Sequence, residues 1–572
     1  MRLKTFVLFI VFSGLLLSGI AQNIVKTRSY PKNFFRYPLD LPPSTAGSFG
    51  ELRSNHFHSG LDFKTNGTVG FPVHASADGY VSRIKVQFGG FGNALYITHP
   101  NGFTTVYGHL QRFAPSIEKV LREKQYQQQS FEVDTDVPAF QLTVCQGDVV
   151  AWSGNAGASE GPHLHFEIRE SQTEETINPQ LFGLTINDHV APTLSAICVY
   201  HIGDEPFSEK TTRQFFQLKG AAGNYRLAKP QVISVNGATG FGITATDMNS
   251  TSFNHNGIYA IELKVDGQLV YTFAVERFAF NQTHAINAYI DYPVFQASHR
   301  FIQKCFILPG SKISLYPQSV DRGIIKFTDN AVHEVEYVVK DVAGNQATLS
   351  IKVKSSAVTT SKIASNVSTG FFAYSKQNEF SNDKVKVIIP PGNLYDDLNF
   401  TYATLPEKKG TFSEIHRIHN RMTPINDTFE LWIKPDASIG QLAGKGVIMN
   451  TDGICEGGNF ENGYIKTKVR TFGDYYIRLD TLAPTIHPIN IRDGVNMSGM
   501  KRLSLKIMDN LSGIKSYVGK IDDKWILMEW DYKTYVLSYN FDQAFAHGQH
   551  HFELTVTDNK DNVSHYTANF SR

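Results

Sequence analysis

The chain has 572 residues, of which 19% are charged, and a formal net charge of +1. That length exceeds what one hydrophobic core serves and predicts about three to five domains. The balanced charge argues against nucleic acid or anionic lipid as a partner. Aromatic residues reach 12%, with 25 Tyr and 41 Phe, a mixture that favours β structure. Cys145, Cys198, Cys305 and Cys455 are far apart and lack CxxC spacing. They read as separate buried thiols rather than a metal cluster, with a Cys145–Cys198 bridge as the alternative.

Residues 1–21 read as an export signal. Arg2 and Lys4 form a basic start, Phe6–Phe12 and Leu15–Leu17 an apolar segment, and Gly19-Ile20-Ala21 a small-residue cleavage site. The apolar run is short and broken by Ser13-Gly14, which disfavours a membrane anchor, and no later stretch can span a bilayer. The mature protein is therefore expected in the periplasm or at the cell surface. Residues 22–45 are proline-rich (Tyr30-Pro31, Tyr37-Pro38, Leu41-Pro42-Pro43) and predict an extended leader wrapped over the following domain.

His58-Ser59-Gly60-Leu61-Asp62 offers an imidazole and a carboxylate four residues apart. On a straight strand these groups would stand about 13 Å apart, too far to share an ion. A turn at Ser59-Gly60, where glycine tolerates positive φ, would bring them together. His56, two residues upstream, competes with His58 for this role. Residues 94–98 and 103–107 flank Pro100-Asn101-Gly102, a hairpin signal. The hairpin delivers Tyr107-Gly108-His109-Leu110, although a lone histidine at a strand end is usually structural. Residues 115–129 predict a helix with Ile117, Val120 and Leu121 as its apolar stripe. Glu132, Asp134 and Asp136 follow without metal spacing and read as a solvated loop.

Gly161-Pro162-His163-Leu164-His165-Phe166-Glu167-Ile168 alternates with period two. His163, His165 and Glu167 share one face, and Leu164, Phe166 and Ile168 the other, which predicts a half-buried strand with its imidazoles on an open face. Side chains two apart stand about 7 Å from each other. One imidazole of the pair can bind an ion and the other can lie beside a water. Two His and one Asp, with a fourth position open, have the form of a catalytic zinc site.

HSGLD, YGHL and GPHLHFEI, in this order, resemble the lysostaphin-type (LytM-domain) zinc metallopeptidases that cut the peptide bridges of peptidoglycan. Gly70-Phe71-Pro72-Val73, Ala77-Asp78-Gly79-Tyr80-Val81, Gly92-Asn93, Gly147-Asp148-Val149-Val150 and Gly154-Asn155-Ala156-Gly157 strengthen the likeness, which covers about residues 45–170. The resemblance implies an antiparallel β-sheet metallopeptidase domain of duplicated-hybrid-motif type. It implies Zn2+ on His58 (not His56), Asp62 and His165, with His109 and His163 orienting or deprotonating water and stabilising the oxyanion. It also implies peptidoglycan stem or cross-bridge peptides as substrate. The 115–144 stretch is longer than the family pattern and lies where groove-wall loops lie, so it is positioned to narrow the cleft. The family also contains non-catalytic members that have lost ligands, so a wall-binding or adaptor role is the alternative function; all five positions are intact here.

Beyond residue 185 the text repeats. Asp188-His189-Val190-Ala191-Pro192-Thr193 is echoed by Asp480-Thr481-Leu482-Ala483-Pro484-Thr485. Ile243-Thr244-Ala245-Thr246-Asp247 is echoed by Leu505-Lys506-Ile507-Met508-Asp509, and Val339-Lys340-Asp341 by Val556-Thr557-Asp558. Two copies of one immunoglobulin-like β-sandwich module are expected, over 187–356 and 481–572, each with its own core. A β domain without assignable chemistry spans 357–480, and the peptidase domain spans 46–186. Turn chemistry explains the repeated Asp and Asn positions more simply than calcium does. The fold class is thus mainly β, and the C-terminal modules are a possible site for an envelope protein partner.

Overall fold

The computed structural model describes residues 25–139, 141–203, 205–355, 368–541 and 546–572; the expected export signal lies outside them. Among the described residues the protein is mainly β, with one α-helix longer than seven residues. No described helix is long and apolar enough to cross a membrane. All four cysteines are free; Cys198 and Cys305 are buried, but Cys145 is exposed and Cys455 half-buried, so two of the thiols do not follow the expectation.

The first sheet is antiparallel along its main path. Its order is Thr45–Gly47, Leu61–Lys64, His163–Glu170, Phe103–Gly108, Asn93–Thr98, Gly79–Val86 and Val133–Asp136. The hairpin turns at Gly102, which takes φ 83° as the turn requires. The strand carrying the histidine pair is central, with the Asp62 strand on one side and the YGHL strand on the other. The leader wraps this domain. Tyr30, Phe35 and Leu39 are buried, and the Tyr30 hydroxyl donates to Glu276 at 2.7 Å.

The 115–144 stretch folds into regular elements. It forms a helix at Pro115–Gln128, opening on Pro and closing at Gln129 in the left-handed region. It also supplies the edge strand Val133–Asp136 at the end of the sheet remote from Asp62. Its outer face receives the last β module. Arg122 pairs with Glu529 at 3.3 Å, Tyr126 meets Trp525 edge-on, and Phe88, stacked on Phe131, meets Trp530. From there the module reaches the loop before the histidine strand. Lys533 Nζ donates to the carbonyls of Asn155 and Ser159, and the Tyr532 hydroxyl to that of Gly157.

Residues 368–480 and 481–572 each enclose a separate apolar cluster, the latter between a four-stranded and a five-stranded sheet. The first module differs from the expectation of a core of its own. One continuous cluster runs from Tyr30 through the peptidase sheet to Val353. Strand pairing crosses the same boundary, Thr176–Ile177 against Arg277–Phe278. The echoes in sequence mark the repeat but do not reveal which faces of each copy are covered. A cut at residue 186 should therefore expose core on both sides, leaving residues 1–186 without a cooperative thermal transition and the other fragment with only those of residues 368–480 and 481–572. Removal of 481–572 should preserve the transition of the remainder. Differential scanning calorimetry of both truncations checks this.

Candidate metal and catalytic site

The register of the central strands assembles the site. His165 lies directly opposite Asp62 on one neighbour and Gly108 on the other, so HSGLD, YGHL and HLHFEI meet at one point of the sheet. The chain bends at 58–60 as expected, but Gly60 is not in the left-handed region. It is glycine because a Cβ there would stand 2.4 Å from the carbonyl oxygen of Phe166. The bend presses backbone against the neighbouring strand, and only a residue without a side chain fits.

Three ligand atoms converge. His58 Nε2 is 3.0 Å from Asp62 Oδ1, His165 Nδ1 is 2.9 Å from the same oxygen, and the two ring nitrogens are 3.2 Å apart. Zinc bonds of about 2.0–2.1 Å in a tetrahedron place ligand atoms about 3.3 Å apart, so the donor set fits a zinc ion in both chemistry and spacing. The partners of the outer ring nitrogens fix the tautomers. His58 Nδ1 donates to the Ser48 carbonyl at 2.7 Å, and His165 Nε2 to Glu167 at 3.0 Å. Carbonyl and carboxylate oxygens only accept here, so the inward nitrogens carry lone pairs. His56 is exposed and turned to the Ser54 carbonyl, away from this set.

His163 and His109 stand beside the three ligand atoms with ring centres 4.8 Å apart. His163 Nδ1 donates to the Gly161 carbonyl and His109 Nδ1 to that of Ala156, each at 2.8 Å. Both Nε2 atoms are thereby left as bases, and that of His163 lies 3.4 Å from Asp62 Oδ1. His109 adopts φ 57°, a left-handed conformation uncommon for a residue with a side chain. Backbone bonds hold it there, its N–H donating to the Phe91 carbonyl at 2.8 Å.

The face expected to be open is largely closed. His165 is 2% exposed and Glu167 is fully buried, while only His163 keeps appreciable access. Phe91 stacks on the His165 ring at 4.8 Å, and the Arg169 guanidinium bonds Glu167 at 2.6 Å. The small residues before the histidine strand serve the chain's own packing. A Cβ on Gly154 would strike the backbone of residues 109–111, and one on Gly157 that of Gly90 and Gly92.

The electrostatics call for positive charge. Burial opposes ionisation of Asp62, yet His58, His163 and His165 hold its carboxyl well below the usual range. Burial would lower His165, but its hydrogen bonds to Asp62 and Glu167 outweigh that and push it up to about 9. Burial, reinforced by the neighbouring His165 and His163, depresses His109 to about 3, so it stays neutral. Glu167 and Arg169 are the functional pair that the motif reading left without a role. The period-two pattern placed Glu167 beside the histidines but gave no sign that it would orient one.

Glu167 is expected to set metal affinity. Glu167→Gln keeps the volume and removes the anionic acceptor, and should weaken zinc binding about 10–100-fold in a chelator competition. Glu167→Ala also strands Arg169 in the interior and should cost about 3–5 kcal/mol of stability, read from chemical denaturation.

Residues 56–127 match the model of peptidase family M23. The chain carries an M23 peptidase domain. Residues 369–480, the β domain of unassigned chemistry, match a Zu5-like domain. The M23 region is similar to the DD-carboxypeptidase/endopeptidase Mpg of Neisseria meningitidis serogroup B, 35% identical over 118 residues. That match covers 21% of each chain. An uncharacterized metalloprotease of Haemophilus influenzae is 34% identical over 143 residues, 24% of this chain and 25% of that one. The peptidoglycan DD-endopeptidase ShyA of Vibrio cholerae is 30% identical over 146 residues, 24% of this chain and 28% of its own length. The chain thus spans 21–28% of the length of these relatives. Among solved structures, the catalytic domain of lysostaphin from Staphylococcus simulans is 24% identical, covering 24% of this chain and 87% of that one with a TM-score of 0.17.

Proposed function

We propose that the protein is an exported zinc metalloendopeptidase that hydrolyses peptide cross-links of peptidoglycan. The observation that carries this reading is the convergence of His58 Nε2, Asp62 Oδ1 and His165 Nδ1 within hydrogen-bonding distance of one another, with two further imidazoles alongside. These three side chains would hold the zinc. When bound, zinc supplies a Lewis acid for the scissile carbonyl and a water acidified towards neutrality.

The remaining chemistry falls to this chain's own residues. Asp62 and the Glu167–His165 pair set the charge and orientation of the ligands. His163 and His109 each commit Nδ1–H to a backbone carbonyl, so Nε2 is the atom that exchanges a proton. One takes the proton of the attacking water and passes it to the departing amine. The other donates to the oxygen of the tetrahedral centre, for which its Nε2 must carry a proton as an imidazolium. The first role needs a neutral imidazole and the second an imidazolium, and His109, held neutral by burial, suits the first.

Peptide rather than glycan cleavage follows from how the carboxylates are used. Glycoside hydrolysis needs two carboxyl groups flanking the bond. Asp62 is surrounded by three histidines, and Glu167 is spent on His165 and Arg169. The relatives named as DD-endopeptidases favour the D-alanyl to diamino-acid cross-link as the bond cut, ahead of a glycine bridge. The expected export signal places the enzyme in the periplasm or at the surface, and the C-terminal modules are candidates for binding an envelope partner.

Digestion of purified wall tests the reading. Cross-linked muropeptide dimers should convert to monomers, with a chelator stopping the conversion and zinc restoring it. Binding to the wall without conversion would identify an adaptor, and new sugar reducing ends with intact dimers would identify a glycosidase.

A further inference from the structure

Two more groups of carboxylates converge outside the histidine site, at equivalent places in the two repeated modules. Asp188, Asp247 and Asp341 bring ligand oxygens within 4.8 Å of one another, and so do Asp480, Asp509 and Asp558. Each of the three sequence echoes contributes one member to each group. The strand pairing repeats with them. Thr193 faces Thr246 in the first module and Thr485 faces Met508 in the last, so Asp247 and Asp509 each follow the same rung.

The supporting hydrogen bonds repeat as well. Asp341 Oδ1 accepts from the N–H groups of Gly344 and Asn345, and Asp558 Oδ1 from those of Lys560 and Asn562. Asn345 Nδ2 donates to Asp341 Oδ2 and to the Asp188 carbonyl; Asn562 Nδ2 donates to Asp558 Oδ2 and to the Asp480 carbonyl. Turn chemistry accounts for this half of each cluster. It does not account for the oxygens that remain. Asp247 is 6% exposed and Asp480 is 1% exposed, yet Oδ1 of each is buried without a partner, as is Oδ1 of Asp509. Asn256, which pairs through its backbone with Asp247 and lines the same cavity, also has an orphaned buried Oδ1.

Among the described residues, none of the six carboxylates enters an ion pair. Buried carboxylates without a counter-charge are costly, and native interiors satisfy such groups with a partner or a metal. Burial, followed by the neighbouring Asp341 and Asp188, pushes Asp247 up to about 9.

We propose that each repeated module binds one calcium ion, the first on Asp188, Asp247 and Asp341 and the second on Asp480, Asp509 and Asp558. Every ligand is an oxygen, and the clusters combine carboxylates with amide and backbone carbonyl groups. That set suits a hard cation tolerant of irregular geometry, which is calcium rather than zinc or magnesium. The placement gives the ions a role. Asp188 lies in the link after the M23 domain, and the cavity beside it is lined by Thr45, Ser48 and Phe49 of that domain. Asp480 closes the Zu5-like domain, whose Lys445 bonds the Lys560 carbonyl and the Asn562 side chain beside the second cluster. Each ion would fasten a module to the domain before it.

The test uses the full chain, freed of divalent ions and reloaded with zinc alone, then titrated with calcium chloride in a calorimeter. Two calcium ions should bind per chain and raise Tm by several degrees. Asp247→Asn and Asp509→Asn should each lose one of the two, and the double variant both, while one zinc per chain remains in all. Calcium should also protect the wild-type links near residues 186–192 and 480–484 from limited proteolysis, a readout that needs no variant. No uptake by the wild-type chain at millimolar calcium would overturn the proposal. So would uptake unchanged in the double variant, or equal stabilisation by magnesium at the same concentration.

Discussion

Replacing Asp62 by alanine should strip the protein of zinc and abolish wall hydrolysis. Asp62 Oδ1 is the point at which the site converges, 3.0 Å from His58, 2.9 Å from His165 and 3.4 Å from His163. Its loss leaves two neutral nitrogen ligands and removes the negative charge that draws a cation in. Groups that merely orient a metal ligand are worth about 10–100-fold in affinity or activity, so deleting a ligand should exceed about 100-fold in both. Metal analysis after gel filtration should read one zinc per chain in the wild type and none in Asp62→Ala. His58→Ala and His165→Ala should behave alike. Retention of stoichiometric zinc in any of the three would contradict the assigned ligand set.

His163→Ala and His109→Ala should keep the metal and lose turnover. General acid–base groups contribute about 10²–10⁴-fold, and the loss should appear in kcat with little change in KM. His163 is the sharper case, because it sits two residues from His165 on the same strand face and exchange of their roles is the obvious error. The register favours His165 as the ligand. His165 is opposite Asp62, whereas His163 is opposite Lys64, whose ammonium is turned to Ser252 of the first module. If His163→Ala released zinc while His165→Ala retained it, the assignment within the pair would be reversed.

Much of the site can be read from short-range pattern. The period-two alternation in HLHFEI puts His163 and His165 on one face of a strand, and both lie in the strand His163–Glu170. The hairpin around Gly102 and the helix from Pro115 are local structures whose turn, cap and periodicity are written in neighbouring residues. The five histidine and aspartate positions stand out for the same reason, since each lies within a motif a few residues long.

What escaped the sequence is what depends on residues distant along the chain. Alternation predicts one buried face and one open face, yet both faces of the histidine strand are covered. Phe91 and Arg169 close over His165 and Glu167, and no local rule announces a contact across strands. Gly60 looks like a turn glycine and is in fact a close-approach glycine, because the atom it must avoid belongs to Phe166, more than a hundred residues away. The insertion at 115–144 also receives Trp525 and Glu529 of the last module, contacts that its own text does not announce. The repeated aspartates read singly as turn formers. Only when distant segments meet do they become two acidic clusters with buried, unpartnered carboxylate oxygens. Periodicity and turn chemistry act over a few residues and are visible in the text of the chain. Burial, register and charge compensation are sums over neighbours in space, and they exist only once the sheets have closed on one another.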